Sequence, residues 1–304
     1  MMQTMSRRAF NRQVGMATAA AALIPNVAMA EKSRSVHIGH TGITWLNQDQ
    51  REAIRQIGSF GFYGYETFSQ VLEQFDASGD LDSLLEQNHV PLISGYCTIN
   101  LTNTSKRSEE LAKAVKWARL IKKYKGKIFV LGPNQVNRDA YDYAANKANI
   151  VSMLNEVAKS VAAEGITPVL HQHTSTCVMT RDETYATLDA VDTSVLKFGP
   201  DVGQLTKGGA DAVQVVKDYL PLVQHMHLKD YNGKDQHLVG YCPMGQGVVN
   251  IPAILDLMEG RELKGMIMAE LDNLDARDPD PIPAHQLVSE TVSYLKSIGV
   301  KFRS

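Results

Sequence analysis

The chain has 304 residues, with 31 Lys and Arg against 33 Asp and Glu and a formal charge of −2. That balance does not suit a protein built to hold a polyanion, because phosphate neutralisation supplies most of nucleic-acid affinity and needs a concentrated basic face. The length suffices for one large core, and no linker, low-complexity segment or fixed-length repeat divides it.

The first element is an expected export signal. Ser6, Arg7 and Arg8 open a basic stretch, residues 14–24 form a short, weakly apolar run, and Ala28-Met29-Ala30 is a small-x-small cleavage site. These are the three parts of such a signal, and the paired arginines make it a twin-arginine type. The run is too short to cross about 30 Å of hydrocarbon. Residues 1–30 are therefore expected to be removed, leaving residues 31–304 as one catalytic domain in the periplasm without stable membrane insertion. The processed chain keeps 28 basic and 33 acidic residues, a formal charge of −5. Cys97, Cys177 and Cys242 are odd in number, which argues against a disulfide framework and leaves them as small packing residues.

From residue 36 onward, short apolar or β-branched runs alternate with longer helical patterns. Strands are expected at 36–40, 62–66, 91–96, 127–131, 167–171, 196–201, 222–227 and 265–270. Between them the period changes. Leu111, Ala114, Val115, Ala118 and Ile121 share one face of a charged segment, as do Ile150, Met153, Leu154, Val157 and Val161 ahead of Gly165, a C-cap. Each parallel strand needs a crossover helix, so eight such rounds predict a single (β/α)8 TIM barrel. An open doubly wound sheet fits less well, because no Gly-x-Gly-x-x-Gly loop follows the first strand.

In such barrels the chemistry sits at the C-terminal rim. The expected strand ends carry His40, Glu66, Tyr96 with Cys97, Asn134, His171 with His173, Asp201, His227 with Lys229, and Glu270 with Asp272. So many ionisable groups together would be costly without a cation, and a divalent metal resolves the conflict. Mixed imidazole and carboxylate donors suit Mn²⁺ first, with Co²⁺, Zn²⁺, Fe²⁺ and Mg²⁺ as the other candidates.

The segments around His40, Gly61 to Glu66, Asp201-Val202-Gly203-Gln204, His225-Met226-His227-Leu228-Lys229-Asp230, Gly245-Gln246-Gly247 and Glu270-Leu271-Asp272 resemble the xylose isomerase-like sugar phosphate isomerase/epimerase superfamily. His171-Gln172-His173 further resembles the histidine segment of 2-keto-myo-inositol dehydratases. The resemblance implies one metal ligand from each of the last four strands: Asp201, His227 and Glu270, with His171 standing where relatives place Glu. His173 and Glu183 are the other candidates for that position, and Gln204 replaces a His found in many relatives. A metal chelating adjacent oxygens of a keto sugar would acidify the neighbouring C–H. Glu66, His173 and Glu270 are the candidate bases, and Lys229 is a candidate donor to substrate oxygens. Reprotonation would give epimerisation or isomerisation, and loss of a β-substituent would give keto-inositol dehydration or 3-keto-glycoside cleavage. The expected partner is a small unphosphorylated sugar or keto sugar, and the subunits are compatible with a homo-oligomer. Two other readings stay open: a metal-free periplasmic carbohydrate-binding protein, and an apurinic endonuclease-like hydrolase, which the acidic balance disfavours.

Overall fold

A computed structural model describes residues 33–45, 50–234, 237–272 and 282–304. The expected export signal over residues 1–30 lies outside the described residues. Strands β1 (Ile38–Thr41), β2 (Tyr65–Phe68), β3 (Leu92–Ile99), β4 (Ile128–Pro133), β5 (Thr167–Leu170), β6 (Lys197–Phe198) and β7 (Met226–Leu228) follow one another along the chain. A hairpin of β8 (Asp230–Tyr231) and β9 (Tyr241–Cys242) precedes β10 (Ile267–Ala269), the eighth barrel strand. The eight parallel strands bond in the order β6-β5-β4-β3-β2-β1-β10-β7. Parallel bridges from Phe198 to Val223 and from Asp201 to His227 join the two ends of that order, closing the ring. The fold is a single (β/α)8 TIM barrel.

The helices are α1 (Gln50–Ser59), α2 (Ser69–Ser78), α3 (Leu81–Gln87), α4 (Arg107–Lys123), α5 (Tyr143–Ala163), α6 (Arg181–Leu188), α7 (Val202–Lys207), α8 (Ala212–Asp218), α9 (Ile251–Met258) and α10 (Ala284–Ser297). On α5 the five expected core positions are all buried, and Gly165 beyond it takes a left-handed φ of 84°, the C-cap conformation in which glycine costs least. On α4, Ala114, Ala118 and Ile121 are buried as expected, Leu111 and Val115 of the same face are half-buried, and Trp117 joins the core. A Cβ on Gly95 of β3 would stand 2.8 Å from Ile121, so a bare backbone there lets α4 pack close. No described helix is long and apolar enough to cross a membrane.

The strands are displaced from their expected bounds in a way that matters for the site. β2 begins at Tyr65, after Gly64, and its register with β3 shifts between Tyr65 and Glu66. Glu66 is thus the second of four strand residues, paired with Thr41 and Ser94, one layer below the rim. β3 and β4 run on to Ile99 and Pro133, which likewise draws Tyr96 and Cys97 into mid-strand. Strand side chains alternate between faces. Accordingly Ile128, Val130 and Val169 form a small cluster of their own, while the alternate residues Phe129, Leu131 and Leu170 join the main core.

Candidate metal centre and active site

Four donors come from the last four barrel strands. His171 directly follows β5, Asp201 lies beyond β6, His227 is the middle of β7, and Glu270 follows β10. The bridge between Asp201 and His227 and the hydrogen bond from the Glu270 amide to Leu228 O (3.0 Å) hold these backbones level. Asp201 also caps α7, its Oδ1 accepting the Gln204 amide at 2.9 Å. That leaves Oδ2 for other work.

His171 Nδ1 lies 3.0 Å from Gly199 O. A carbonyl accepts only, so Nδ1 carries the proton and the Nε2 lone pair faces Asp201 Oδ2, 3.9 Å away. Burial, helped by the neighbouring His227, keeps His171 well below the usual imidazole range and so neutral. His227 has charged partners on both sides, with Nδ1 2.9 Å from Glu270 Oε2 and Nε2 2.7 Å from Glu66 Oε1. Burial alone would strip its proton, but Glu270 and Glu66 outweigh that and raise it well above the ordinary value.

Lys229 is fully buried. Its Nζ lies 3.0 Å from Asp201 Oδ2, 2.5 Å from Glu270 Oε1 and 2.9 Å from Asp272 Oδ2, and the Tyr241 ring covers it with its centroid at 4.6 Å. Burial disfavours the ammonium, yet the three carboxylates hold its proton firmly. In return, and against burial, His227 and Lys229 keep Glu270 ionised well below the carboxylate range. Lys229 is spent on these three acids; Asp230 serves elsewhere.

The donor set fits a divalent metal. Asp201 Oδ2 and His227 Nδ1 make no aligned hydrogen bond, although charged groups stand within 3.0 Å of each. Close opposite charge without directional pairing is what lone pairs aimed at a shared cation leave behind. Donor atoms of His171, Asp201 and His227 lie within 4.8 Å of one another, and neutral imidazole with carboxylate is transition-metal chemistry.

His173 stands beside this cluster. Its Nδ1 is 2.8 Å from Thr174 O and its Nε2 is 2.7 Å from Gln204 Nε2. Gln204 Oε1 accepts from the Thr174 amide and hydroxyl at 3.2 and 2.6 Å, so its NH2 must face His173, whose Nε2 then carries a lone pair. Gln204 therefore orients the imidazole. Glu183 is committed elsewhere: it completes the capping box of α6 with Thr180 and accepts from Met179 N (2.8 Å) and Arg138 (2.7 Å). His40 packs edge-on against Trp45 and Phe62, and burial lowers it to about 4. All three cysteines are buried thiols, with burial pushing Cys177 and Cys242 up to about 12.

Two features escaped sequence reasoning. Asp230 accepts the amides of Tyr231 (2.9 Å), Gly245 (2.9 Å), Gly247 (2.9 Å) and Val249 (3.1 Å), pinning the segment after β9. A Cβ on Gly247 would lie 2.1 Å from Asp230 Oδ1, which explains that glycine. The second is His225, whose Nε2 lies 2.9 Å from Glu66 Oε2. Strand alternation was the available signal, since it puts His225 on the same face as His227.

Above the cluster opens a cavity of about 430 Å³. Glu66, Phe68, Tyr96, His171, His173 and Glu270 are among its lining residues. No Lys or Arg lines it among the described residues.

Residues 52–298 match the model of the xylose isomerase-like TIM barrel family. An inosose dehydratase of Clostridium perfringens (strain 13 / Type A) is 23% identical over 273 residues, covering 78% of this chain and 90% of that protein. One from Mesomycoplasma hyopneumoniae (strain 7448) is 22% identical over 298 residues, covering 88% and 97%. Among solved structures, a probable 3-DHS dehydratase from Bacillus anthracis superposes with a TM-score of 0.73 at 16% identity, covering 86% of this chain and 99% of that one. The IOLI protein with a bound zinc atom gives 0.71 at 14% identity, covering 86% and 98%. The 3-keto-D-glucoside 4-epimerase of E. coli gives 0.67 at 13% identity, covering 86% and 99%. The structural likenesses speak for the fold alone, whereas the family match spans most of the sequence: the chain belongs to the xylose isomerase-like TIM barrel family.

Proposed function

We propose that the chain is a divalent-metal-dependent enzyme that enolises an unphosphorylated keto sugar or keto-inositol, and that it completes the reaction by eliminating a β-substituent. The observation that carries this reading is the convergence of His171, Asp201, His227 and Glu270 beneath a cavity edged by His173. Mn²⁺ heads the candidate metals. When bound, such an ion supplies Lewis acidity toward adjacent substrate oxygens. Glu270, ionised and lining the cavity, takes the carbon-bound proton, while His173, whose Nε2 accepts from the Gln204 amide, borders the substrate beside it. Lys229 holds Asp201 and Glu270 in position. That no Lys or Arg lines the cavity among the described residues supports a substrate without phosphate, since a phosphate group calls for Arg or Lys. Elimination rather than epimerisation is supported by the inosose dehydratase relatives. The signal pattern of residues 6–30 supports action in the periplasm.

The test is incubation of the manganese-loaded protein in D2O with 2-keto-myo-inositol and, separately, with a methyl 3-keto-glucoside, followed by NMR. Deuterium entering the carbon beside the ketone, with release of water or methanol, is the expected result. In Glu270→Gln, with its metal content measured alongside, that exchange should fall by about 10²- to 10⁴-fold. No exchange on either compound with any of the candidate metals would refute the reading.

A further inference from the structure

Glu66 is placed among the candidate bases by its position near a strand end, yet its carboxylate is fully committed below the rim. Oε2 accepts from the Ser94 hydroxyl on β3 and stands 2.9 Å from His225 Nε2; Oε1 stands 2.7 Å from His227 Nε2. The other nitrogen of His225, Nδ1, accepts the Met266 amide at 3.3 Å. Gly265 lets that backbone approach, since a Cβ there would lie 2.7 Å from Nδ1. With Nδ1 accepting, the proton of neutral His225 sits on Nε2 and is donated to Glu66.

This settles between two arrangements of donors. Glu66, His225 and His227 lie within 4.8 Å of one another, as His171, Asp201 and His227 do. A protonated Nε2 offers no lone pair, so the first group cannot bind a cation through His225. It is instead a chain of hydrogen-bond donors ending on a carboxylate. With Oε2 occupied twice, Oε1 is the atom left to face His227, and a carboxylate oxygen there calls for a proton on Nε2. Nδ1, 2.9 Å from the metal-donor candidate Glu270 Oε2, is then the nitrogen that gives up its proton when a cation binds.

We infer that Ser94, His225 and Glu66 are positioning residues that fix the tautomer and ring orientation of His227, so that Nδ1 is the atom presented to the metal. The inference rests on the metal-dependent reading above and assigns Glu66 no proton transfer with substrate.

Long-range 1H–15N spectra of the zinc-loaded, histidine-labelled full chain report on both His227 nitrogens. The expected state is metal on Nδ1 and a proton on Nε2; metal on Nε2 with a proton on Nδ1 would overturn the inference while leaving metal dependence intact. Calorimetric zinc affinity gives a second readout. His225→Leu should weaken binding by about 10- to 100-fold, and His225→Gln, whose amide can still donate to Glu66, should recover part of it. Unchanged affinity in His225→Leu, or equal losses in the two His225 variants, would contradict the assignment. Failure of the wild-type chain to take up zinc would remove both this inference and the metal-dependent function.

Discussion

At the scale of single residues, the site is governed by buried charge that must be matched. Lys229 is the clearest case, a fully buried ammonium shared by Asp201, Glu270 and Asp272. Removing one partner from such a set leaves uncompensated charge, which costs about 3–5 kcal/mol. Denaturant unfolding of metal-free Lys229→Met should show a loss of that size; a change below about 1 kcal/mol would mean the carboxylates relax or protonate freely. His40 offers a pH test. Burial lowers it from 6.5 to about 4, so the unfolded chain binds more protons between those values. Stability contributed by its neutral form is complete above pH 6.5 and is lost as pH falls toward 4. At about 1.4 kcal/mol per pK unit, the wild type should lose about 3 kcal/mol more than His40→Phe between pH 7 and 4. Parallel pH profiles would contradict the burial of this ring.

At the scale of elements, the β8–β9 hairpin and its following segment hang on one side chain. Asp230 collects four backbone amides, and losing the acceptor leaves them to water or to nothing. Hydrogen exchange at Gly245, Gly247 and Val249 should accelerate in Asp230→Ala while the barrel strands keep their protection. Uniform exchange across the molecule would show that the latch supports the whole fold. Element existence was legible in the sequence because apolar period and glycine placement report local geometry: all eight barrel strands and the buried face of α5 emerge from the pattern. Their ends were not. The depth of Glu66 depends on a register shift between β2 and β3, and pairing register is set by partners far away in the chain. The role of Asp230 was hidden for the same reason, since the amides it gathers come mostly from residues 245–249.

At the scale of the molecule, closure of the ring brings distant strand ends onto one rim, and that makes rim residues readable in advance. Asp201 and His227 are 26 positions apart yet bridge directly across the seam, and the eighth strand sets Glu270 beside them. Knowing the ring, one could pick the donors; knowing which atom of each faces the others required coordinates. Tautomers, the Gln204 amide orientation and the Lys229 contacts follow from side-chain packing that no spacing encodes. The family match agrees with this architecture over residues 52–298. The central claim is that His171, Asp201, His227 and Glu270 hold one divalent cation beneath the cavity. Anomalous diffraction from crystals of the manganese-loaded protein tests it most directly. The account predicts a single strong peak about 2.0–2.3 Å from a donor atom of each of the four residues. A peak centred between Glu66 and His225, or none at the barrel mouth, would contradict it.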